Sequence, residues 1–293
     1  MGARILDGKA LAATMRAEIR KDVETLRAQG VVPNLQFVLV GDNAASVVYV
    51  ENKNKACAEV GIEHGTRRLP AATTEAELLA VLRALNADPA VHGILVQLPL
   101  PPQISEEAVL ATLDPRKDVD GFTHENLGRL LAGRPGFVPC TPAGVVELLE
   151  RNGHSPQGKR VAVLGRGNIV GKPLSVLLLG KGRGGDATVT VCHSRTPNLE
   201  QATREADVLV AAMGQPEFVR ARHVKPGAVV VDVGINRVAD PSHPKGSRIV
   251  GDVAFEEVSK VASAITPVPG GVGPMTIAML LANTVRAARG LSR

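Results

Sequence analysis

The sequence predicts an α/β fold in two domains, each built on a parallel β-sheet. In each half of the chain, short apolar segments alternate with longer segments whose apolar residues recur at helical spacing. This alternation is typical of parallel sheets with helices on both faces. Between the two series, from about residue 99 to residue 144, the alternation stops and turn-forming residues dominate. A chain of 293 residues is long enough for one large core but more often divides into two domains.

The first series contains three helical segments, and local signals mark the ends of each. The first helix is predicted to begin after a capping Asp7 and to end at Gly30. The second, ASVVYVENKNKACAEVG, ends at Gly61, and the third begins with Thr74 and Glu77 in the spacing of a capping box. The strands predicted between them are LQFVLVG, IEHGTRRL and VHGILVQL.

The irregular segment that follows predicts the boundary between the domains. One short helix is expected near Ser105, and the boundary is placed close to AGRPGFVP, residues 132–139. A helix with the sequence TPAGVVELLERNG then begins, with Thr141 as the predicted N-cap and Pro142 in the first helical position.

The second series predicts a sheet that is buried on both faces. Its strands, RVAVLGRG, ATVTVC, VLVAAMG and AVVVDVG, are rich in continuous runs of Val, Leu and Ala. The helical segments between them are IVGKPLSVLLLG and NLEQATREAD. A final amphipathic helix, PMTIAMLLANTVRAARG, is predicted to begin at Pro274, and the residues alone leave open which domain it packs on.

Composition and charge limit the classes of function. The net charge is +5, but the basic residues are scattered and only 2% of residues are aromatic, so nucleic-acid binding is not expected. A mild positive field suits a small anionic ligand instead. No apolar run approaches the roughly 20 residues that span a bilayer, and the N-terminus lacks the apolar segment of a secretory signal.

The three cysteines, Cys57, Cys140 and Cys192, are widely spaced and show no C-x-x-C pattern. Neither a zinc site nor a disulfide framework follows from this spacing, so no bound metal is predicted. Each is expected to act as a small buried apolar residue. Free thiols without a secretory signal predict a cytoplasmic protein.

A glycine-rich segment opens the second series. In VAVLGRGNIVGKP, Gly165, Gly167 and Gly171 stand between a predicted strand and a predicted helix. Glycines let the backbone approach a pyrophosphate, and the free N–H groups of a helix N-terminus attract its charge. The spacing is one residue longer than the usual dinucleotide fingerprint, but its position at the start of a βαβ series predicts a Rossmann-type domain.

Three further residues favour NADP over NAD as the dinucleotide. After the next predicted strand, Ser194 and Arg195 stand where an NAD-binding protein carries an acidic residue, and Arg166 lies within the glycine loop. A hydroxyl and guanidinium groups suit an additional ribose phosphate. The alternative is that these arginines are solvated loop residues.

Features in the first domain suggest an active site. Tyr49 and Lys53 are four residues apart in a predicted helix and therefore share one face. Gln97 falls at the C-terminal end of a predicted strand, where ligands of open α/β sheets bind. Asp118 and Asp120 lie in a turn-rich loop. Each feature also has a purely structural interpretation when it is considered alone. The helix could be a surface helix with solvated lysines, and the loop could be a common Asp-Gly turn.

Seven motifs, in order along nearly the whole chain, identify a resemblance. The chain resembles the bifunctional methylenetetrahydrofolate dehydrogenase/methenyltetrahydrofolate cyclohydrolase family. The resemblance implies a folate-binding catalytic domain at 1–138, a Rossmann NADP-binding domain at 139–273, a cleft between them, and a C-terminal helix, 274–293, packed on the first domain. It also implies a homodimer. The motifs are SxxYVxxKxK at 46–55, VQLPLP at 96–101, KDVDGF at 117–122, PCTPAG at 139–144, GRGNIVGKP at 165–173, VDVGIN at 231–236 and TPVPGGVGPMT at 266–276.

The resemblance implies that NADP oxidises 5,10-methylenetetrahydrofolate to the methenyl compound, which is then hydrolysed to 10-formyltetrahydrofolate. Lys53 would be the catalytic lysine, Gln97 would tune it, Tyr49 would line the folate site and Asp120 would hold the pterin. Because the methenyl compound is a cation, we expect a lowered pKa for Lys53. The implied substrate-binding residues also include Val50, Val96, Leu98, Pro269, Gly270, Gly271 and Val272, and the implied NADP contacts are Gly165, Arg166, Gly167, Ser194 and Ile235.

The chain departs from the family pattern at two places. Gly167 stands where many members carry serine, and the segment GKGRGGD at 180–186 is longer than in most members. Both departures bear on cofactor binding. Two alternatives stay open at this point: an NADP-dependent oxidoreductase of the shikimate-dehydrogenase type, and a non-catalytic protein that senses NADP.

Overall fold

The computed structural model describes residues 2–242 and 246–290, and in it the chain forms two compact units. One unit contains the chain up to Ala12 together with Thr141–Thr276, and we call it the six-stranded unit. The other contains Ala13–Cys140 and the C-terminal stretch from Ile277, and we call it the three-stranded unit. Residue 1, residues 243–245 and residues 291–293 of the predicted domain ranges lie outside the described residues.

The strands of the described residues match the predicted alternation and add several short strands. They form one six-stranded sheet, one three-stranded sheet and one separate pair. The strands are β1 (Arg4–Ile5), β2 (Asn34–Val40), β3 (Glu63–Leu69), β4 (Gly93–Val96), β5 (Arg160–Leu164), β6 (Thr188–Cys192), β7 (Val208–Ala211), β8 (Val229–Asp232), β9 (Asn236–Ala239), β10 (Ser247–Val250) and β11 (Ala264–Ile265).

The helices follow or connect these strands along the described chain. They are α1 (Gly8–Ala28), α2 (Ala44–Val60), α3 (Glu75–Ala87), α4 (Glu106–Thr112), α5 (His124–Leu131), α6 (Cys140–Arg151), α7 (Gly171–Leu179), α8 (Leu199–Arg204), α9 (Phe255–Val258) and α10 (Val272–Ala288). None of them, within residues 2–242 and 246–290, combines the length and the apolar composition that crossing a bilayer requires.

The three-stranded sheet has the order β3-β2-β4, and all its strands are parallel. The central strand β2 is buried on both faces, because Leu35 and Phe37 pack into one apolar cluster while Val38 and Val40 pack into another. The chain passes from β2 to β3 on one side and then to β4 on the other. The carboxyl ends of β2 and β4 therefore flank a point where the strand order reverses, which is the ligand-binding position of open α/β sheets.

The six-stranded sheet has the order β1-β11-β8-β7-β5-β6, and it is also parallel throughout. Strands β7 and β8 are buried along their whole length, as expected for strands covered on both faces. The order reverses between β5 and β7, because β6 lies on the other side of β5. Strands β9 and β10 form a separate antiparallel pair.

Local signals correctly located several helix ends. The Ala10 amide donates to Asp7 Oδ1 at 2.9 Å, as a cap of α1 requires. Gly61 ends α2 in the left-handed conformation, with φ of 81°. Thr74 and Glu77 make both hydrogen bonds of the predicted capping box at the start of α3.

The structure corrects three sequence-based predictions. The prediction of one short helix in the middle segment was wrong, because α5 follows α4 and is capped by Thr123, whose hydroxyl accepts from Asn126 N. Helix α6 begins at Cys140, so Thr141 lies inside the first turn, and its hydroxyl bonds that of Thr276 instead. Helix α10 begins at Val272, before the predicted Pro274.

The first residues of the chain belong to the six-stranded unit. Strand β1 pairs in parallel with β11, placing Arg4 opposite Ala264 and Ile5 opposite Ile265. The predicted division, which put all of 1–138 in the first domain, differs from this arrangement. The reason is that a two-residue strand carries no periodicity that a sequence pattern could detect.

Candidate active site

Lys53 and Gln97 form a direct contact in the three-stranded unit. Helix α2 presents Lys53, and Gln97 follows β4 at the carboxyl edge of the sheet. Lys53 Nζ donates a hydrogen bond to Gln97 Oε1 at 3.0 Å, and Gln97 Nε2 donates to the Leu98 carbonyl at 2.7 Å. Because the amide nitrogen of Gln97 is bound to Leu98, its oxygen faces the lysine. Gln97 therefore holds the amine in one position.

The electrostatic environment shifts both Lys53 and Asp120 towards their neutral forms. Burial lowers the pKa of Lys53, and this effect is partly opposed by the negative charge of Asp120 and by Cys140 and Cys57. Burial raises the pKa of Asp120, and the positive charge of Lys53 partly opposes that shift. The lowered pKa of Lys53 agrees in direction with the sequence-based expectation. The amine is therefore available as a base at a lower pH than an ordinary lysine.

The two aspartates of the turn-rich loop have different roles. Asp118 is 1% exposed, and its carboxylate accepts from Gly121 N at 2.9 Å, Thr123 N at 2.7 Å and Asn126 Nδ2 at 3.0 Å. Asp118 is thus occupied in shaping the loop. Asp120 is half-buried and lies close enough to Lys53 for each to shift the pKa of the other. Asp120 is therefore the carboxylate of this loop that suits a ligand.

The other predicted site residues of this unit lie on helix α2 and at the end of β4. Ser46 is buried, and its hydroxyl donates to the Leu98 carbonyl at 3.4 Å, so Ser46 and Lys53 both reach the segment after β4. Tyr49 is 43% exposed and Lys55 is also exposed. Val50 is fully buried in the core, which makes it a support of the helix. Val96 ends β4 and Leu98 follows the strand, and both are half-buried.

The glycine loop of the six-stranded unit is shaped by close backbone approach. Gly165 follows β5 with φ of 118°, and a side chain there would collide with the carbonyl of Ala212, which follows β7. A side chain at Gly171 would collide with the Gly165 carbonyl. The loop therefore lies at the reversal point of the sheet, and it leads into α7 from Val170, whose side chain has no group that could cap the helix. This geometry fits a dinucleotide pyrophosphate.

The other predicted NADP contacts lie at the same edge of the sheet. Arg166 and Gly167 follow β5, Ser194 follows β6 and Ile235 follows β8, and all four residues are exposed. In the described part of the chain, a Cβ built on Gly167 meets no atom within 4 Å. Gly167 is therefore not required by packing, and a serine there would be accommodated.

A buried aspartate that the sequence analysis missed organises the loops at this edge. Asp252 is fully buried, and its Oδ2 accepts from Met213 N at 2.6 Å and Gly214 N at 2.9 Å. Its Oδ1 accepts from Gln215 N and from Asn236 Nδ2, both at 2.9 Å. One carboxylate thus joins the loop after β7 to the first residue of β9, where the loop after β8 ends. The detectable signal was an acidic residue beside glycine within an apolar run, GDVAF.

Asp232 links the same loops from the end of β8. It is 3% exposed, and its carboxylate accepts from Gly234 N, Asp252 N and Val253 N, each at 2.9 Å. Its own amide donates to Thr266 Oγ1 at 2.7 Å. The two aspartates therefore preform the backbone around Ile235 before any ligand binds.

The predicted folate-site wall, Pro269–Val272, belongs to the six-stranded unit. There the amide of Lys9 donates to the Gly270 carbonyl at 2.9 Å, and Gly270 has φ of 109°. The carbonyl of Gly271 approaches Gly8 so closely that a side chain at residue 8 would collide with it. Lys53, Gln97 and Asp120 lie in the other unit, so a role for this segment in folate binding stays a prediction.

Comparisons with known proteins match both halves of the chain. The family model for the catalytic domain of tetrahydrofolate dehydrogenase/cyclohydrolase matches residues 6–120, and the model for its NAD(P)-binding domain matches residues 139–291. The bifunctional protein FolD of Moorella thermoacetica is 54% identical over 289 residues, which cover 99% of this chain and 100% of that protein.

Solved structures give the same result. The bifunctional FolD methylenetetrahydrofolate dehydrogenase/cyclohydrolase of Campylobacter jejuni aligns with a TM-score of 0.92 at 48% identity, covering 98% of this chain and 99% of that chain. The Trypanosoma brucei dehydrogenase-cyclohydrolase, solved with NADP and an inhibitor, has a TM-score of 0.93 at 43% identity, covering 100% and 99%. A shikimate dehydrogenase of Aquifex aeolicus reaches 0.50 at 16% identity over 89% and 97%, which shows a likeness of fold alone.

Proposed function

Because this chain belongs to the tetrahydrofolate dehydrogenase/cyclohydrolase family, we propose that it oxidises 5,10-methylenetetrahydrofolate to 5,10-methenyltetrahydrofolate and hydrolyses that product to 10-formyltetrahydrofolate. The observation that carries the proposal is the group formed by Lys53, Gln97 and Asp120. It contains an amine whose pKa is lowered by burial, an amide that holds it and a carboxylate beside it. These are the parts that one site needs for both reactions.

The oxidation needs positioning more than acid–base chemistry. The two nitrogens that flank the one-carbon bridge donate electrons as hydride leaves, so no strong base is required. The chemistry that NADP supplies when bound is acceptance of this hydride. The product is a delocalised cation, which a fully charged lysine would repel. The lowered pKa of Lys53 reduces this repulsion.

The hydrolysis needs proton transfer, which Lys53 can perform. Water adds to the methenyl carbon while the neutral amine of Lys53 takes one of its protons. The bond between that carbon and a ring nitrogen then breaks, the nitrogen takes the proton from the Lys53 ammonium, and the remaining hydroxyl releases its proton to solvent as the formyl C=O forms. Gln97 Oε1 accepts one N–H of the amine at 3.0 Å, which leaves the nitrogen lone pair free to face the reacting water. Gln97 thus orients the base, and Lys53 moves the proton.

Asp120 and Tyr49 are the proposed holders of the folate. Asp120 offers two carboxylate oxygens to the paired N–H donors of the pterin, a bidentate match. Asp118 is excluded from this role because its oxygens are bound within the loop. The exposed ring of Tyr49 offers an apolar surface to the aromatic part of the substrate.

The residues that would hold NADP are those of the glycine loop and its neighbours. Gly165 and Gly171 let the loop pack closely on itself and on the segment after β7, which is the tight turn that a pyrophosphate-binding loop requires. Arg166 and Ser194 are exposed at the same sheet edge, where they suit the additional ribose phosphate. Arg166 and Ser194 therefore favour NADP, which carries this phosphate, over NAD, which lacks it.

The hydrolysis is expected to reach its full rate at lower pH when Asp120 is replaced by asparagine. Its rate rises with pH because the neutral form of Lys53 is the base. Burial lowers the Lys53 pKa, while Asp120, Cys140 and Cys57 raise it, so removing the Asp120 charge lowers that pKa further. Values of kcat/KM for methenyltetrahydrofolate against pH, corrected for uncatalysed hydrolysis, measure the shift. If the rise of kcat/KM with pH stays at the same pH in the variant, or moves to higher pH, then Asp120 does not raise the pKa of Lys53.

One assay tests the proposed function directly. The protein is given methylenetetrahydrofolate with NADP and, separately, with NAD, and the methenyl and formyl products are followed. We expect both products, with faster formation on NADP. Turnover of shikimate with NADP, or binding of NADP without turnover of either substrate, would instead favour the two alternatives raised by the sequence.

The assembly, the location and the domain division are further parts of this proposal. A homodimer is supported by the family resemblance and by the open edge strand β6, where Val191 is 38% exposed. A cytoplasmic location is supported by three free, buried cysteines. The folate and NADP domains are proposed to correspond to the three-stranded and six-stranded units.

A further inference from the structure

Helix α10 carries one buried amide within an otherwise apolar face. Asn283 is 2% exposed and lies among Leu280, Leu281 and Val285. A buried amide must be hydrogen-bonded, and its partners show what it does. Asn283 Nδ2 donates to the Val119 carbonyl at 2.9 Å. The helix is thereby bound to the residue that directly precedes Asp120.

The same amide also binds a second segment. Asn283 Nδ2 lies 3.2 Å from the Val138 carbonyl and 3.6 Å from Cys140 Sγ. The Cys140 thiol in turn donates to the Val119 carbonyl at 3.3 Å. The backbone carbonyl next to Asp120 therefore receives hydrogen bonds from two different parts of the chain.

Close backbone packing explains why an amide is needed here. Gly121 has φ of 80°, and a Cβ on it would lie 2.6 Å from Pro139 N and from Val138 C. The segments on either side of Asp120 and Cys140 therefore pack backbone to backbone. Their carbonyls face inward, and an apolar residue at position 283 would leave them without this donor.

Resting on the function proposed above, we propose that Asn283 is a positioning residue for Asp120. Asp118 fixes the C-terminal side of Asp120 through the amides of Gly121 and Thr123, and Asn283 fixes the N-terminal side through Val119. Together they hold the carboxylate beside Lys53 and towards the folate. Asn283 touches neither substrate nor cofactor in this role.

The test is a double-mutant cycle between Asn283→Ala and Asp120→Ala, measured on the full chain. Asn283→Ala is expected to raise the folate KM on the order of tenfold while the NADP KM changes less than about twofold. In the Asp120→Ala background, the same change is expected to alter the folate KM less than about twofold, because the residue it positions is gone.

Thr284→Val is the matched control. Thr284 is fully buried on the same helix, and its hydroxyl donates to the Leu280 carbonyl within the helix at 2.9 Å. Its loss is expected to lower the melting temperature and to leave the folate KM unchanged. Asn283→Ser, which keeps a short donor, is measured in the same way in case the alanine variant does not fold.

Each outcome has a definite meaning. Independent effects of Asn283→Ala and Asp120→Ala on the folate KM, or a loss of stability without a change in that KM, would overturn the positioning role. An equal rise in the folate KM of Thr284→Val would do the same, since it would show a general effect of α10. If Asp120→Ala itself leaves the folate KM unchanged, the proposed function of Asp120 fails instead.

Discussion

Replacing Lys53 by methionine is expected to abolish the hydrolysis of methenyltetrahydrofolate and to slow the oxidation less severely. The hydrolysis loses its base, an effect of about 10²–10⁴-fold for a positioned proton-transfer group. The oxidation loses only a neighbour of the reacting carbon. Methionine keeps the unbranched apolar stem in the half-buried position, so the packing of α2 is retained. The two rates are measured separately, with methenyltetrahydrofolate and with methylenetetrahydrofolate plus NADP.

Lys55→Met is the matched control for this variant. Lys55 lies two residues further along the same helix, but it is exposed and points away from Gln97. Its replacement removes the same charge and is expected to leave both rates within about twofold, since it is an exposed residue outside the site. Full hydrolysis by Lys53→Met, or equal losses in the two lysine variants, would refute the role of the Lys53 amine.

Replacing Asp252 by alanine is expected to impair the oxidation and to spare the hydrolysis. Four N–H donors, three from the backbone of residues 213–215 and one from Asn236, lose their acceptor. The expected loss in the free energy of unfolding is on the order of 4 kcal/mol. The loops after β7 and β8 are no longer held at the cofactor edge, so the NADP KM is expected to rise about tenfold, which corresponds to a loss of about 1.4 kcal/mol in the free energy of NADP binding.

The hydrolysis provides an internal control for this variant, because it consumes no NADP and its proposed base lies in the three-stranded unit. Glu256→Ala provides an external one, since it removes the same charge from an exposed residue of α9. Urea unfolding and NADP titration at a temperature where the variant is folded give the two readouts. An NADP KM equal to that of Glu256→Ala would show that Asp252 does not organise the cofactor loops.

The sequence predicted those parts of the fold and site that depend on local patterns. Thr74 and Glu77 are three residues apart, and their capping box is a property of the chain near them. The contact between Lys53 and Gln97 joins distant residues, and the family resemblance, not a local pattern, implied it. Local rules located the two residues separately: Lys53 lies on a helix face with Tyr49, and Gln97 lies beyond a strand end.

The sequence could not predict the buried polar residues that support the site. Asp252 binds the amide of Met213, 39 residues away, and Asn283 binds Val119, 164 residues away. Their partners are backbone groups, which every residue carries, so no pairing of residue types marks them. A polar residue within an apolar helical face, as in LLANTV around Asn283, is the signal that remains. Helix α5 was missed because eight residues show little more than two turns of periodicity.

The three buried cysteines have a consequence for the chemistry of the folded enzyme. Thiolate, not thiol, reacts with alkylating agents and oxidants. Burial raises the pKa of Cys57 to about 12 and that of Cys140 well above its usual range, and Cys192 is also fully buried. All three sulfurs are therefore shielded from such reagents while the chain is folded. Cys192 lies in the six-stranded unit, and Cys57 and Cys140 lie in the three-stranded unit. The rate at which each cysteine is modified therefore reports the opening of its own unit.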